Sequence, residues 1–423
     1  MGSSAPPTPL TTTPAGRPSY RRALGQRSFL LVFVAQLVSQ SGDFVFDVAL
    51  LWLVLRTTGS VFAVGVVVTA ALVPAVVLGP FLGVYVDRWP RRVILIVTNL
   101  LEGALIAVLS GLVLAHATGL GLVVAIVAAL GAGSQVVRIA SSALVPQTVD
   151  PADLPAANGL LTFSGAFNQI VGLSVGGVVV ALVGVSLPIE YDALSFLAAA
   201  ALVAAIPPAV GRPVPGEQPG RPRFRTQFVE GLAFVRGQRF LVEVIGIGIV
   251  VNFFANAVAA LWAPYAALTL NGNAATYGFL GAAVAAGSVI GALVAGKIDA
   301  RRFAGRSLFG GAMGIGAAIV ALGLTRSIAP AFVEAFALGT MLSITNVPLL
   351  TVVQAKVPAR LLGRVTAVLF SVIVVAGPVG AIFAGSLAQA TTLSTVFLLS
   401  GLFVLAIMAV GSVALKDLRN VAY

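Results

Sequence analysis

Apolar residues along this chain come in long, nearly unbroken runs separated by short polar stretches. Many runs reach about 20 residues, the length of helix that crosses a roughly 30 Å hydrocarbon layer. They do not alternate with polar residues as the strands of a membrane barrel would. Twelve spans can be placed, over 28–54, 59–86, 92–115, 119–145, 156–184, 190–209, 241–269, 275–297, 306–325, 329–353, 363–389 and 393–415. Several exceed the minimum length, which allows tilt or short extensions beyond the hydrocarbon. The pattern predicts an all-α membrane protein.

The polar punctuation repeats. Gly79 and Asp87, followed by Arg88, Arg91 and Arg92, have counterparts 212 residues later in Gly291 and Asp299, followed by Arg301, Arg302 and Arg306. Pro146 recurs at the same offset as Pro358. A duplicated half made of membrane-length segments predicts two pseudo-symmetric six-helix bundles, the architecture of a transporter. The organisation expected is a disordered tail over 1–24, a first bundle over 25–210, a linker over 211–240, a second bundle over 241–416 and a tail over 417–423. The first tail is rich in Pro, Thr and Ser and cannot repay the entropy of folding. Arg17, Arg21, Arg22 and Arg27 precede the first run, which is too long for a signal peptide and lacks a cleavage site, so it reads as a retained helix. In the linker, Pro213, Pro215, Pro219 and Pro222 give way to Phe228, Leu232 and Val235 at helical spacing. These predict a short amphipathic helix on the membrane surface, serving as a tether or as a regulatory or lipid-sensing element.

Composition strengthens the membrane reading. The chain is 59% hydrophobic and 9% charged, with a mean hydropathy of +1.05, against about 25% charged residues in a soluble domain. The net charge of +11 does not point to nucleic acid, because the basic residues sit in short loops. With both termini in the cytoplasm, cytoplasmic segments hold 22 of the 25 Lys and Arg residues, which is the distribution that orients a bacterial inner-membrane protein. The exceptions are Arg56, Arg138 and Arg326. Cysteine is absent and His116 is the single histidine, so neither a thiolate metal site nor a zinc site is expected. No phosphate-binding Gly-x-x-x-x-Gly-Lys-Ser/Thr loop occurs, so the chain does not itself drive transport with ATP. No enzymatic activity, cofactor or bound metal is expected.

Gly83-Val84-Tyr85-Val86-Asp87-Arg88-Trp89-Pro90-Arg91-Arg92 resembles the signature loop between spans two and three of the major facilitator superfamily. The second-half copy has Ala295 in place of the glycine, with Gly296 adjacent. Ser39-Gln40-Ser41-Gly42-Asp43, the run from Ala49 to Leu55, Thr58-Gly59-Ser60, Leu144-Val145-Pro146, Ala157-Asn158-Gly159 and Leu362-Gly363-Arg364-Val365 sharpen the likeness. Together they resemble the drug:proton antiporter branch that includes macrolide efflux proteins and the enterobactin exporter. The resemblance covers nearly the whole chain from residue 25. It implies that the loop of Gly83, Asp87, Arg88, Arg91 and Arg92, with Asp299, Arg301 and Arg302 in the second copy, gates the cavity. Gly83 would permit close helix contact. Asp87 would face the opposite bundle, and the arginines would anchor to acidic groups or anionic lipid or simply fix orientation.

Charged groups inside spans are costly and therefore informative. Asp43 and Asp47 are four residues apart and share one face of span one. Asp43 lies about 15 residues into that span, roughly 22 Å along the helix. Either could carry the exchanged proton or bind a cationic substrate, or be a structural carboxylate. Arg138 in span four would neutralise Asp43, Asp47 or Glu102, or snorkel to the headgroups. Glu334 in span ten is a further coupling candidate, and Glu243 stands near the inner start of span seven. Asn168, Gln169, Asn252, Asn256 and Asn346 could line a polar cavity or join helices. Phe44, Phe46, Trp52, Phe163, Phe167, Phe253, Phe254 and Trp262 offer aromatic surface for a large apolar or amphipathic substrate. Gly172 to Gly176 and Gly377-Pro378-Val379-Gly380 predict close packing and helix bends in spans five and eleven.

These features predict a secondary exporter of drug-like or secondary-metabolite molecules, exchanging substrate for protons by alternating access. Its partners would be amphipathic or hydrophobic small molecules, protons and membrane lipids, and it would act as a monomer. A transporter of one siderophore, sugar or lysolipid, and a non-transporting sensor or scaffold, are the alternatives. The charge distribution makes a direct prediction: alkaline phosphatase fused to the carboxyl terminus is inactive in cells, whereas a fluorescent-protein fusion is bright. Active phosphatase would reverse the orientation.

Overall fold

Within hydrocarbon no water is available to pair with backbone N–H and C=O groups, so each apolar run satisfies them internally as a helix. The computed structural model describes residues 18–86, 89–212, 224–297 and 300–415. A short α1 (Tyr20–Gly25) precedes α2 (Arg27–Thr58), α3 (Val61–Val86), α4 (Arg91–Leu114), α5 (Leu120–Leu144), α6 (Leu154–Val183) and α7 (Ser186–Ala204). A second short helix, α8 (Phe224–Gly237), leads into α9 (Arg239–Ala260), α10 (Trp262–Pro264) and a π-helical turn, Tyr265–Thr269. Then follow α11 (Ala274–Ala295), α12 (Ala300–Leu324), α13 (Ile328–Lys356), α14 (Ala359–Val374), α15 (Ala376–Ala390) and α16 (Leu393–Ala414). Among the described residues, 12 helical segments are long and apolar enough to cross a membrane, matching the expected number.

Local chemistry sets several of their ends. Gly59 takes a left-handed conformation, φ 62°, and its N–H caps the Leu55 carbonyl to stop α2. Asn273 and Thr276 form a reciprocal capping box that starts α11. The eleventh span breaks between α14 and α15, just before Pro378. Proline has no N–H for the Val374 carbonyl, and its ring crowds the preceding turn. The helix is interrupted at Val375 as expected for span eleven, whereas α6 runs unbroken through Gly172 and Gly176, so the break expected in span five is absent.

Each half packs around its own helices: α2 lies against α6 and α7, and α13 against α11 and α12. The two halves meet through α6 on α11 and α3 on α15. Both seams run on glycine. A Cβ at Gly177 would lie 2.8 Å from the Ala274 carbonyl oxygen, and one at Gly65 would lie 2.8 Å from that of Ala381. Gly278 and Gly385 face them from the second half, with Gly278 tight against the Leu173 carbonyl. Hydrogen bonds follow where backbones come this close. Thr69 Oγ1 donates to the Pro378 carbonyl at 3.1 Å, and Gln389 Nε2 to Ser60 Oγ at 3.3 Å. Among the described residues, these cross-half hydrogen bonds and glycine contacts lie at one end of the bundles, remote from the linker. At the linker end an apolar cluster that includes Phe29, Val32, Leu95, Leu144 and Val203 is drawn from the first half alone. The halves are therefore joined at the far end.

Two expectations about the segments outside the spans change. The tail expected over 1–24 is folded from Tyr20 onward and tied to the α5–α6 connection. Asp153 accepts from the Ser19 backbone N–H at 3.0 Å and from Arg22 Nη2 at 2.8 Å, while Gln26 Oε1 accepts from the Asp150 N–H at 3.0 Å. The linker helix forms, but its apolar face meets protein instead of lipid. Val235 is buried, Gly231 lies against the Arg364 carbonyl of α14, and Arg364 pairs with Glu230. Because glycine places no side chain between the two helices, they can pack at backbone distance.

The glycine seam is testable. Gly278→Leu is expected to destabilise the far-end closure by roughly 1–3 kcal/mol, the usual cost of overpacking. Spin labels at Val183 and Asn271 should then move apart; an unchanged distance distribution would show that the seam does not hold this end shut.

Candidate functional site

Carboxyl groups from three helices of the first half converge. Asp43 and Asp47 come from α2, Glu102 from α4 and Asp192 from α7, each within electrostatic range of at least one other. Asp43 is half-buried and Asp47 exposed, whereas Glu102 and Asp192 are enclosed, with 2% and 0% of their surface accessible. Glu102 Oε1 accepts from Ser134 Oγ at 3.4 Å and Oε2 has no hydrogen-bond partner. Asp192 Oδ1 lies 3.3 Å from the Ser195 hydroxyl, which also donates to the Asp192 carbonyl at 2.8 Å, and Oδ2 is unpartnered. Glycines make the room. A Cβ at Gly133 would lie 2.9 Å from Glu102 Cδ, and one at Gly42 would lie 2.9 Å from Ser195 Cβ.

A cavity of about 380 Å³ reaches this cluster, lined by Gln40, Asp43, Asn99, Glu102, Ser134 and Arg138 among others. Its walls are the linker-end portions of α2, α4, α5, α6 and α7, so it runs from that end of the bundle to Asp43 and Glu102. Arg138 stands in the wall but makes no ion pair with a carboxylate. Its Nε and Nη2 are held by Gln135 Oε1, one turn earlier on the same helix. The neutralising contact expected of it is thus replaced by a local one.

The second half has its own cavity of about 330 Å³, between the linker-end portions of α9, α13 and α14. Asn252, Asn346, Thr345 and Thr366 supply its polar groups, and Leu349, Phe370 and Ile373 represent its apolar majority. Asn256 donates to the Asn252 carbonyl at 2.9 Å, and both asparagines flank Gly377 at the break in span eleven. The two halves share topology but not chemistry: one cavity is acidic and the other largely apolar.

The remaining expected residues are dispersed. Trp52 is buried beneath Arg56, whose guanidinium lies 5.2 Å from the ring centroid. Trp262 packs edge-on to Tyr265 and Phe397. Phe44 packs where Gly172 leaves space, and Asn168 Nδ2 donates to the Leu37 carbonyl at 2.8 Å, tying α6 to α2. These four join helices and line neither cavity. Phe163 and Phe167 stack at 6.1 Å and are exposed, as is Gln169, and they too lie outside both cavities. Glu334 accepts from Thr325 Oγ1 at 2.6 Å near the far end, and Glu243 pairs with Arg239 at 3.1 Å at the linker end.

Of the expected gating loop, Asp87, Arg88 and Asp299 lie outside the described residues, as do the side chains of Arg301 and Arg302. Gly83 falls within α3. Arg91 and Arg92 are described, and they hold their own bundle. The Arg91 N–H donates to the Gly211 carbonyl at 2.9 Å. Arg92 Nη2 donates to the Ala204 carbonyl at 2.6 Å, placing a cation at the negative end of α7.

Asp192 was missed by the sequence reading. Starting the sixth span at residue 190 put it at the rim, but α7 begins at Ser186 and carries Asp192 about 9 Å along the helix. The available signal was an acidic residue inside an apolar run.

The sequence pattern of a family described as transmembrane secretion effector matches residues 21–421. The chain is 28% identical to the multidrug efflux pump Tap of Mycobacterium tuberculosis, over 92% of this chain and 93% of that protein. It is 24% identical to macrolide efflux protein A of Streptococcus pyogenes, over 90% and 94% of the two chains. Among solved structures, a bacterial homologue of the iron transporter ferroportin in an inward-facing state aligns with a TM-score of 0.73 at 14% identity, covering 93% of this chain and 99% of that one. The nucleoside transporter NupG aligns with a TM-score of 0.73 at 10% identity, covering 92% and 99%. Likeness at these identities is one of fold.

Proposed function

Because the chain belongs to the transmembrane secretion effector family of the major facilitator superfamily, we propose that it exports amphipathic or hydrophobic small molecules across a bacterial inner membrane in exchange for protons. The observation that carries the reading is the acidic cavity of the first half, which brings Asp43 and Glu102 to the head of a passage from the linker end. A carboxyl group among apolar helices, facing other carboxyl groups and paired with no arginine, can take a proton as its counter-charge. Such a group alternates between proton-loaded and empty states as access changes sides. The multidrug and macrolide efflux relatives support an exporting direction.

With both termini in the cytoplasm, the joined far end is the outer end and the described arrangement faces inward. Substrate enters from the cytoplasm or inner leaflet and meets the apolar second-half cavity, where Asn252 and Asn346 offer amide groups and Phe370 a ring. Proton release from Asp43 to the cytoplasm and proton uptake from outside would bias the rocking of the bundles about the α3–α15 and α6–α11 seams. Arg138, Asp47 and Glu334 are secondary candidates for coupling in this scheme.

The test is ethidium transport in proteoliposomes under an imposed pH gradient. The parent protein is expected to accumulate dye, and a protonophore to abolish accumulation. Asp43→Asn should lower the gradient-driven rate by about 10-fold or more, the scale of a coupling free energy of 1–3 kcal/mol. Equal coupling in the variant would remove Asp43 from this role, and selective flux of one metabolite without dye transport would replace the multidrug reading.

A further inference from the structure

Among the described residues, the most enclosed acid of the first half does not line the cavity. Asp192 sits behind it on α7, with no accessible surface and with Oδ2 unpartnered. Around it, α2 presents Asp43 and Asp47, and α4 presents Glu102. On α7 itself the neighbouring groups are Ser195 and Tyr191, whose hydroxyl meets Ser41 Oγ at 2.7 Å. The third helix packed on α7 is α6, which has no charged residue between Leu154 and Val183. Arg138, the cation of the neighbouring cavity wall, is held by Gln135.

Glu102, Glu243 and Glu334 also leave one carboxyl oxygen unpartnered, but of these four acids Asp192 is the most enclosed. Asp192 uses one oxygen, and that one weakly, because the Ser195 hydroxyl lies closer to the backbone carbonyl. Gly42, next to Asp43, leaves α2 with no side chain between the two helices at this level. An alanine there would press its methyl group on Ser195 and on the Asp192 carboxyl, so glycine lets the α2 backbone beside Asp43 pack directly over Asp192.

Resting on the proton-coupled reading above, we propose that Asp192 is the enclosed proton store of the exporter, exchanging its proton with Asp43 at the head of the cavity. The step moves one proton from one carboxylic acid to the other carboxylate and leaves the charge of the cluster unchanged. Asp43 meets the aqueous passage; Asp192 holds the proton where that passage cannot reach it. Glu102, also enclosed with an unpartnered oxygen, faces Asp43 from α4 and sets the field against which the exchange occurs.

Infrared difference spectra of the full chain in lipid, stepped across pH, test this without any substrate. The wild-type protein is expected to show C=O stretching bands of protonated carboxyl groups that respond to pH, and Asp192→Asn to lose one component. Asp192→Glu should restore a shifted band, which separates loss of the group from loss of the fold. In ethidium proteoliposomes, Asp192→Asn should also change the pH profile of gradient-driven transport. An unaltered carboxyl spectrum together with an unaltered pH profile would overturn the proposal. Failure of the wild-type protein to transport dye would count against the exporter reading alone, because the infrared result does not depend on flux.

Discussion

The price of charge in hydrocarbon governs how this molecule is arranged. An ionised side chain among apolar helices must find a counter-charge, hydrogen bonds or a proton. Most charged groups here escape that demand by position. Basic residues gather in loops, and described cations near the helix ends settle on local acceptors: Arg22 on Asp153, Arg92 on the Ala204 carbonyl, Arg239 on Glu243. The first-half carboxyl cluster does not escape it. Glu102 and Asp192 are enclosed with one oxygen each left unpartnered, as at Glu243 and Glu334, but here the acids come from separate helices and, among the described residues, lie together without a cation.

The same constraint shapes the seam between bundles. Lipid tails are as apolar as leucine, so helices in a membrane associate through close contact and hydrogen bonding more than through hydrophobic exclusion. Glycines at 65, 177, 278 and 385 bring backbones of opposite halves together, and the Thr69 hydroxyl bridges them. Contacts of this kind are individually modest, which suits the joint that the proposed alternating access would open and close. Confined to the end remote from the linker, they leave the cavities at the other end unobstructed by cross-half packing.

Duplication produced two bundles of one topology, yet their interiors have diverged. The first concentrates acids and hydroxyl groups around its cavity, whereas the second places two asparagines and two threonines against a largely apolar wall. In the exchange mechanism we propose, this asymmetry puts the proton site and the substrate site in different bundles that respond to one rocking motion. The chain's resemblance to efflux proteins and its structural likeness to transporters with other named substrates fit a shared frame with separately evolved linings.

Much was legible in the residues alone because membrane insertion depends on local composition. Run length and hydropathy determined the number of spans, the repeated loops revealed the two halves, and Pro378 marked the break in span eleven. Asp43 and Glu102 stood out as acids in apolar sequence. What hydropathy cannot carry is facing. Trp52 and Trp262 looked like cavity walls and are packing, Arg138 looked like a counter-ion and is held by Gln135, and the linker helix looked lipid-bound and lies on α14. Asp192 was obscured because a shift of four residues at the start of α7 separates a rim position from an enclosed one. The chain by itself determined how many helices cross and where the costly groups fall along them. Only tertiary packing decided which of those groups meet, because helices far apart in sequence are rotated and drawn together by contacts that no single run contains.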